Sequence, residues 1–307
     1  MKNYGFPYKG SKNRLAEKIV KLFPDAENFY DLFCGGCAIT HRALIENRWK
    51  NYVINDIDSR CPKLFLDAIN GKFKNETRWI SREDFFSLKD NDGYVAFCWS
   101  FGNDGRSYLY SKEKEPYKKA LHFAVVYGDY SLGKELGIDL SAIDGIEGIK
   151  ERRIALNKYL KETNQREKVK CNSKSGSLLE SLESLESLER LQSLERLERL
   201  ERLHSSNLSY DEIEIKPNSI IYCDIPYKGT NKYNNIDFDH EAFYEWCKNQ
   251  TELCFISSYE MPEDFIPIAE FPHRSILCAT KNNPVIEKVF IPKHQLELYK
   301  DRISACI

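Results

Sequence analysis

The sequence predicts an α/β fold, a sheet with helices on both faces built from the two ends of the chain, with a mostly helical insert between them. Three observations predict it. Short apolar runs alternate with helical patterns at both ends of the 307 residues. A glycine pair, Gly35–Gly36, stands between an apolar run and a helical pattern, as in strand-to-helix turns that hold a ligand. The middle, about 72–204, is different in kind: aromatic, basic and largely helical in pattern.

The elements follow in order. Residues 12–22, "KNRLAEKIVKL", place Leu15, Ile19, Val20 and Leu22 at helical spacing, with Pro24 beyond the end. "NFYDLF" reads as a buried strand, "AITHRALIENR" as a helix and "NYVINDID" as a strand that ends in acidic residues. Near the other end, "SIIYCDIPY", "ELCFISSYE", "HRSILCAT" and "EKVFIP" are four short apolar runs. "DHEAFYEWCKNQ" is a helix between the first two, with Asp239 as its cap. In the middle, residues 178–203 are low-complexity, with Leu at every third position from 179 to 203. Each step of three lags an α-helix by about 60°, so these leucines are expected to spiral round a helical rod instead of keeping one face. No heptad is kept, which excludes a regular coiled coil.

Bulk numbers narrow the class. Hydrophobic content of 42% and charged content of 30% suit a soluble globular chain. No apolar run approaches the roughly 18–20 residues of a membrane helix, so no membrane partner is expected. The N-terminus lacks a signal-like apolar stretch, and the ten cysteines are scattered in apolar contexts, which predicts reduced thiols and a cytoplasmic location. Net charge is −2, but the repeat 178–203 carries seven Glu against four Arg, while 105–120 and 147–170 are basic. A basic middle suits phosphate contacts and equally suits a solvated helix face.

The chemistry is carried by two strings. In "FYDLFCGGCAIT", Cys34 and Cys37 have the spacing of a dithiol or half a zinc site, while the glycines suit a ligand loop. A dithiol or zinc centre would need a second half, and the chain has no other C-x-x-C and no H-x₃₋₅-H pair. The second string, "IIYCDIPYKGT", delivers Asp224, Ile225, Pro226 and Tyr227 at the carboxyl end of an apolar strand, where open α/β sheets bind ligands.

That second string resembles the D-P-P-Y motif of amino-group DNA methyltransferases, and the chain as a whole is similar to the Dam-type DNA adenine methyltransferases. "YKGSK" resembles the family's N-terminal motif, "DLFCGGCAI" its F-x-G-x-G loop for S-adenosylmethionine, "NDID" its acidic strand end, and "NLSYDEI" its adenosine contact. The motifs stand in the family's order and cover roughly 1–70 and 205–260. The resemblance implies a Rossmann-like methyltransferase sheet formed by 1–71 and 205–307, with 72–204 as a DNA target-recognition insert. It also implies a site-specific adenine N6-methyltransferase acting on a flipped-out base in double-stranded DNA. Asp224, the Ile225 carbonyl, Pro226 and Tyr227 would be catalytic. Tyr8, Lys12, Asp31, Phe33, Cys34, Gly35, Gly36, Cys37, Asp56, Ser209, Tyr210 and Asp224 would hold S-adenosylmethionine, with no metal. Lys9, Asn103 and Arg106 are the expected DNA contacts. A cognate restriction endonuclease is a further partner such enzymes can have, and a monomer or a weak dimer is expected.

Two positions depart from the family pattern. Ile225 stands where the family has its first proline, which leaves the backbone carbonyl in place. Cys37 stands near the displaced second glycine and is small enough for close approach provided its φ is negative. The competing readings are cytosine N4 methylation, a catalytically decayed DNA-binding protein of the same fold, and a dithiol protein.

Overall fold

The structure, a computed structural model, describes residues 3–162, 182–194, 197, 200–228, 238–273 and 285–304. The chain forms two units. The first gathers residues 1–6, 10–71 and 193–307, and the second 7–9 and 72–192.

The first unit is built on a seven-stranded mixed sheet, so the α/β class is correct. Its elements are α1 (Ala16–Val20), β1 (Asn28–Asp31), α2 (Ala38–Glu46), β2 (Asn51–Asn55) and α3 (Arg60–Ile69) from the N-terminal part. From the C-terminal part come β3 (Leu203–Ser206), β4 (Ser219–Asp224), β5 (Leu253–Ser258), β6 (Phe265–His273) and β7 (Val285–Pro292), with two more helices, His240–Lys248 and Leu296–Ser304. The strand order is β3-β2-β1-β4-β5-β7-β6. The first five are parallel, and β7 and β6 close the sheet antiparallel. β1, β4 and β5 are buried along almost their whole length, as expected of parallel strands covered on both faces. On β1 the faces alternate. Phe29 meets Phe23, Trp49 and Tyr52, whereas Tyr30 belongs to a core with Ile221, Ile256 and Phe243. The helix His240–Lys248 starts where the sequence predicts, the Asp239 carboxylate accepting from the Ala242 N–H at 3.0 Å.

Two elements differ from expectation, and a third lies outside the described residues. β6 was not legible as a strand, because it carries Pro267 and Pro272; on the sheet edge a missing N–H leaves no ladder bond unmade, and the register shifts between Pro267 and Ala269. The apolar run "HRSILCAT" lies outside the described residues except for His273, which ends β6. The last leucine of the repeat, Leu203, opens β3 and pairs beside Tyr52 in parallel with β2.

The described part of the second unit is helical. Its helices are α4 (Arg82–Leu88), α5 (Gly93–Cys98), α6 (Glu115–Tyr127), α7 (Ser131–Glu135), α8 (Ile149–Glu162) and α9 (Glu183–Leu194), the last running into residues grouped with the sheet. Caps account for several starts and stops. Ser81 and Asp84 form a reciprocal capping box on α4, Asp92 caps α5, and Gly128 ends α6 in the left-handed conformation. An aromatic core of Trp79, Trp99, Tyr110 and His122 fills the centre. In α9 the leucines do spiral, yet Leu185, Leu188, Leu191 and Leu194 are all buried, as is Leu182 just before it. The helix is therefore a core element wrapped on several sides, with Ser184 and Ser187 buried beside the leucines. The acidic residues of the repeat meet basic ones: Glu183 reaches Lys118, and Glu186 and Glu189 hold Arg153.

Candidate active site

The winding of the sheet reverses between β1 and β4. From β1 the chain steps outward through β2 to β3, then returns to place β4 on the other side of β1. Such a switch point leaves a crevice at the carboxyl ends of the strands, where neighbouring loops diverge. Asp31 ends β1, Asp56 directly follows β2, and Asp224 ends β4. Three predicted carboxylates thus stand on adjacent strand ends, brought together by topology alone.

The loop after β1 is tied down on three sides. Cys34 N–H donates to the Asn55 carbonyl at 2.9 Å, Gly35 N–H to Asp56 Oδ2 at 2.8 Å, and Phe6 N–H to the Gly36 carbonyl at 3.0 Å. The N-terminal segment comes so close that a Cβ on Gly5, whose φ is +65°, would lie 2.0 Å from the Gly36 oxygen. Asn55, which the sequence reading passed over, staples the strand ends. Its amide donates to the carbonyls of Leu32 and Leu208 and its oxygen accepts from Ser206 and the Leu208 N–H.

Cys37 is a correction. Its φ is +52°, the left-handed region that the sequence reading required it to avoid. A cysteine there carries about 1 kcal/mol or more of backbone strain that glycine would not. The Cys37 N–H donates to the Cys34 carbonyl at 2.6 Å and its own carbonyl accepts from His41 at 2.9 Å, so the turn is held by its hydrogen bonds. Burial pushes both thiols upward, Cys34 well above the ordinary range. They are buried protonated thiols, a poor basis for dithiol chemistry. Among the described residues no group of three or more His, Cys, Asp or Glu is placed to hold a metal ion.

The carboxyls differ in their partners. Asp31 Oδ2 accepts from the Thr40 hydroxyl at 2.6 Å, but its Oδ1 is buried with no hydrogen-bond partner among the described residues. Burial raises the Asp31 carboxyl to about 7, with help from Asp224 and Asp56. Burial likewise raises Asp56 to about 7, against two backbone N–H donors, Gly35 and Asp58. Asp224 is raised by burial and pulled back by Lys12, whose ammonium donates to Oδ1 at 2.7 Å.

The Lys12 contact is the centre of a network that sequence reasoning did not foresee. Lys12 Nζ also donates to the Tyr227 hydroxyl at 2.7 Å, and that hydroxyl donates to Glu287 on β7 at 2.8 Å. Burial acts to lower Lys12, but Asp224 and Glu287 outweigh it and raise it. The Tyr227 ring stacks on Tyr259, centroids 4.2 Å apart. Ile225 turns its side chain into the core with Leu32, Phe243 and Ile256, so only its backbone faces the chemistry. The Pro226 carbonyl accepts from His240 Nε2 at 2.8 Å. Phe33 and Tyr210 meet at 5.6 Å, joined by Phe238. Ser209 caps the turn 210–212 through Asp211 and Glu212.

The remaining predicted residues belong to the second unit. Tyr8 sets its ring edge-on to Phe97 at 5.2 Å. Lys9 N–H donates to the Asn103 carbonyl at 3.1 Å, and Lys9 Nζ lies 3.6 Å from Asp104. The Asn103 amide donates to the Phe97 carbonyl at 2.7 Å, and Arg106 is exposed on the same turn. Lys9, Asn103 and Arg106 are therefore one cluster, with the exposed Phe101 beside them.

Strand-end carboxylates and a glycine loop at the switch point of a mostly parallel sheet are the arrangement in which open α/β folds hold their ligands. Residues 8–255 match the model of the D12 class N6 adenine-specific DNA methyltransferases, and the chain belongs to that family. No curated protein matches the chain.

Proposed function

We propose that the chain transfers a methyl group from S-adenosylmethionine to N6 of a flipped-out adenine at a specific site in double-stranded DNA. The observation that carries this reading is Asp224, delivered by β4 to the switch point beside the Asp31 and Asp56 strand ends. The residues fit a cationic cofactor. Asp31 Oδ1 is a buried acceptor without a partner among the described residues, and the carboxyls of Asp31 and Asp56 are raised by burial, so a positive ligand would relieve both conditions. When bound, the cofactor supplies an electrophilic methyl group on a sulfonium leaving group.

The chain's own residues do the rest. Asp56 accepts from ribose hydroxyls with the lone pairs its backbone donors leave over. Phe33, Tyr210 and the glycine loop bound the cofactor pocket. The Asp224 carboxylate accepts one N6 hydrogen and the Ile225 carbonyl the other, which holds the amine in line and stabilises the positive charge that grows on nitrogen. Tyr227, its plane set by Tyr259, stacks on the base. Extrusion of the base costs a few kcal/mol, which phosphate and base contacts from Lys9, Asn103 and Arg106 help to offset.

The test is labelled methyl transfer to unmethylated DNA, with identification of the modified base. Wild type yields N6-methyladenine, and Asp224→Ala lowers kcat, measured at saturating S-adenosylmethionine, by about a hundredfold or more. Label in N4-methylcytosine would overturn the choice of base. Cofactor and DNA binding without transfer would make the chain a decayed binder.

A further inference from the structure

We propose that Glu287 is a positioning residue for methyl transfer, holding the Tyr227 hydroxyl and taking over the Lys12 ammonium when the substrate amine engages Asp224. The inference rests on the methyltransferase reading of the site and extends it to a residue outside the matched span 8–255.

Glu287 is nearly fully buried on β7, and both its oxygens accept from the Tyr227 hydroxyl, at 3.0 and 2.8 Å. A buried carboxylate is costly unless it meets charge and hydrogen bonds, and Lys12 Nζ lies 3.8 Å away. Lys12 thus stands in contact with Asp224 and one short step from Glu287. A move of about 1 Å would bring the ammonium to normal charge-assisted bonding distance of Glu287.

Charge balance gives the reason for such a step. With Asp224 and Glu287 ionised and Lys12 protonated, these three groups sum to one negative charge. As methyl transfer proceeds, the amine nitrogen gains positive charge, and the same groups with the amine approach neutrality. An ammonium left on Asp224 would oppose that charge at hydrogen-bonding distance, whereas one drawn to Glu287 leaves the carboxylate to the amine. Without Glu287, Asp224 is the carboxylate left to pair with Lys12 among the described residues, and the lysine competes with the substrate for it. Among the described residues, the other titratable groups that interact with Asp224 are Tyr222, Tyr227, Tyr259, Asp31 and Asp56.

The experiment is the pH profile of kcat for wild type, Glu287→Gln and Glu287→Asp, with S-adenosylmethionine and DNA affinities measured in parallel. Glu287→Gln should lower the plateau by about tenfold to a hundredfold with both affinities within about twofold. Its acid limb should move to lower pH, because a lysine confined to Asp224 favours the ionised carboxylate. Glu287→Asp should return the limb towards wild type. A wild-type kcat in Glu287→Gln overturns the proposal, and so does a loss of equal size at every pH with the limb unmoved, the sign of a merely structural role. If Glu287→Gln does not fold, Glu287→Asp carries the comparison, and a limb shifted no less than expected for an absent charge overturns it. A wild type that transfers no methyl group at all overturns the underlying reading, separately from any difference among the variants.

Discussion

Replacing Asp31 by Asn separates the energetic cost of the site from its function. The Asp31 carboxyl is 1% exposed and is held at about 7 instead of the ordinary 3.8. A raised carboxyl binds its proton more tightly in the folded chain than in the unfolded one. The contribution of this carboxyl to stability is therefore fullest below pH 4, is lost as the pH rises through 7, and is lower by about 4 kcal/mol above it. Asn has no charge to bury, and its oxygen can still accept from Thr40. Its amide would occupy the place where Oδ1 has no partner, at a cost of about 1–3 kcal/mol. The net expectation at pH 8 is a sheet unit stabilised by about 1–3 kcal/mol, or a few degrees in Tm. At pH 5 wild type is protonated, so the variant should be equal or slightly less stable. The assay is thermal unfolding at pH 5 and pH 8 with and without S-adenosylmethionine, the cofactor-shifted transition marking the sheet unit. Stabilisation at pH 8 should come with weakened cofactor binding. A variant destabilised equally at both pH values, with cofactor affinity unchanged, would refute the reasoning.

Three further outcomes follow from the geometry. Cofactor affinity of wild type should fall as the pH drops below about 7, by up to tenfold per pH unit for each coupled proton, because protonated Asp31 and Asp56 no longer attract a cation; calorimetry across pH 5.5–8.5 reads this. Cys37→Gly should retain activity and stay within about 1 kcal/mol of wild-type stability, whereas Cys37→Val should cost about 2 kcal/mol or more at φ +52°, measured by denaturant unfolding. Leu191→Ala should destabilise the helical unit by about 2–5 kcal/mol, while Glu186→Ala on the same helix should change it by less than about 1 kcal/mol.

The parts of the protein legible in its amino-acid order are local. An apolar strand ending in Asp224-Ile225-Pro226-Tyr227, a glycine loop after β1 and an acidic end to β2 are short-range patterns, and each sits on the element its pattern implies. Parallel strands share a carboxyl end, which puts the three carboxylates at the same end of the sheet, and the strand order β2-β1-β4 makes them neighbours. Tertiary structure decided what no local pattern encodes. Glu287 meets Tyr227 because β7 pairs antiparallel with β5, Tyr259 meets it because β5 pairs beside β4, and nothing around "EKVFIP" marks its acid as a site residue. The prolines of β6 hid a strand that an edge position tolerates. The repeat of three reads as a spiral with no fixed face, and only packing on several sides makes such a spiral a core. The left-handed Cys37 is of the same kind: its intrinsic preference opposes the conformation, and the hydrogen bonds of the loop around it overrule that preference. Propensity acts over a few residues, whereas pairing, burial and charge balance act between segments the chain keeps far apart.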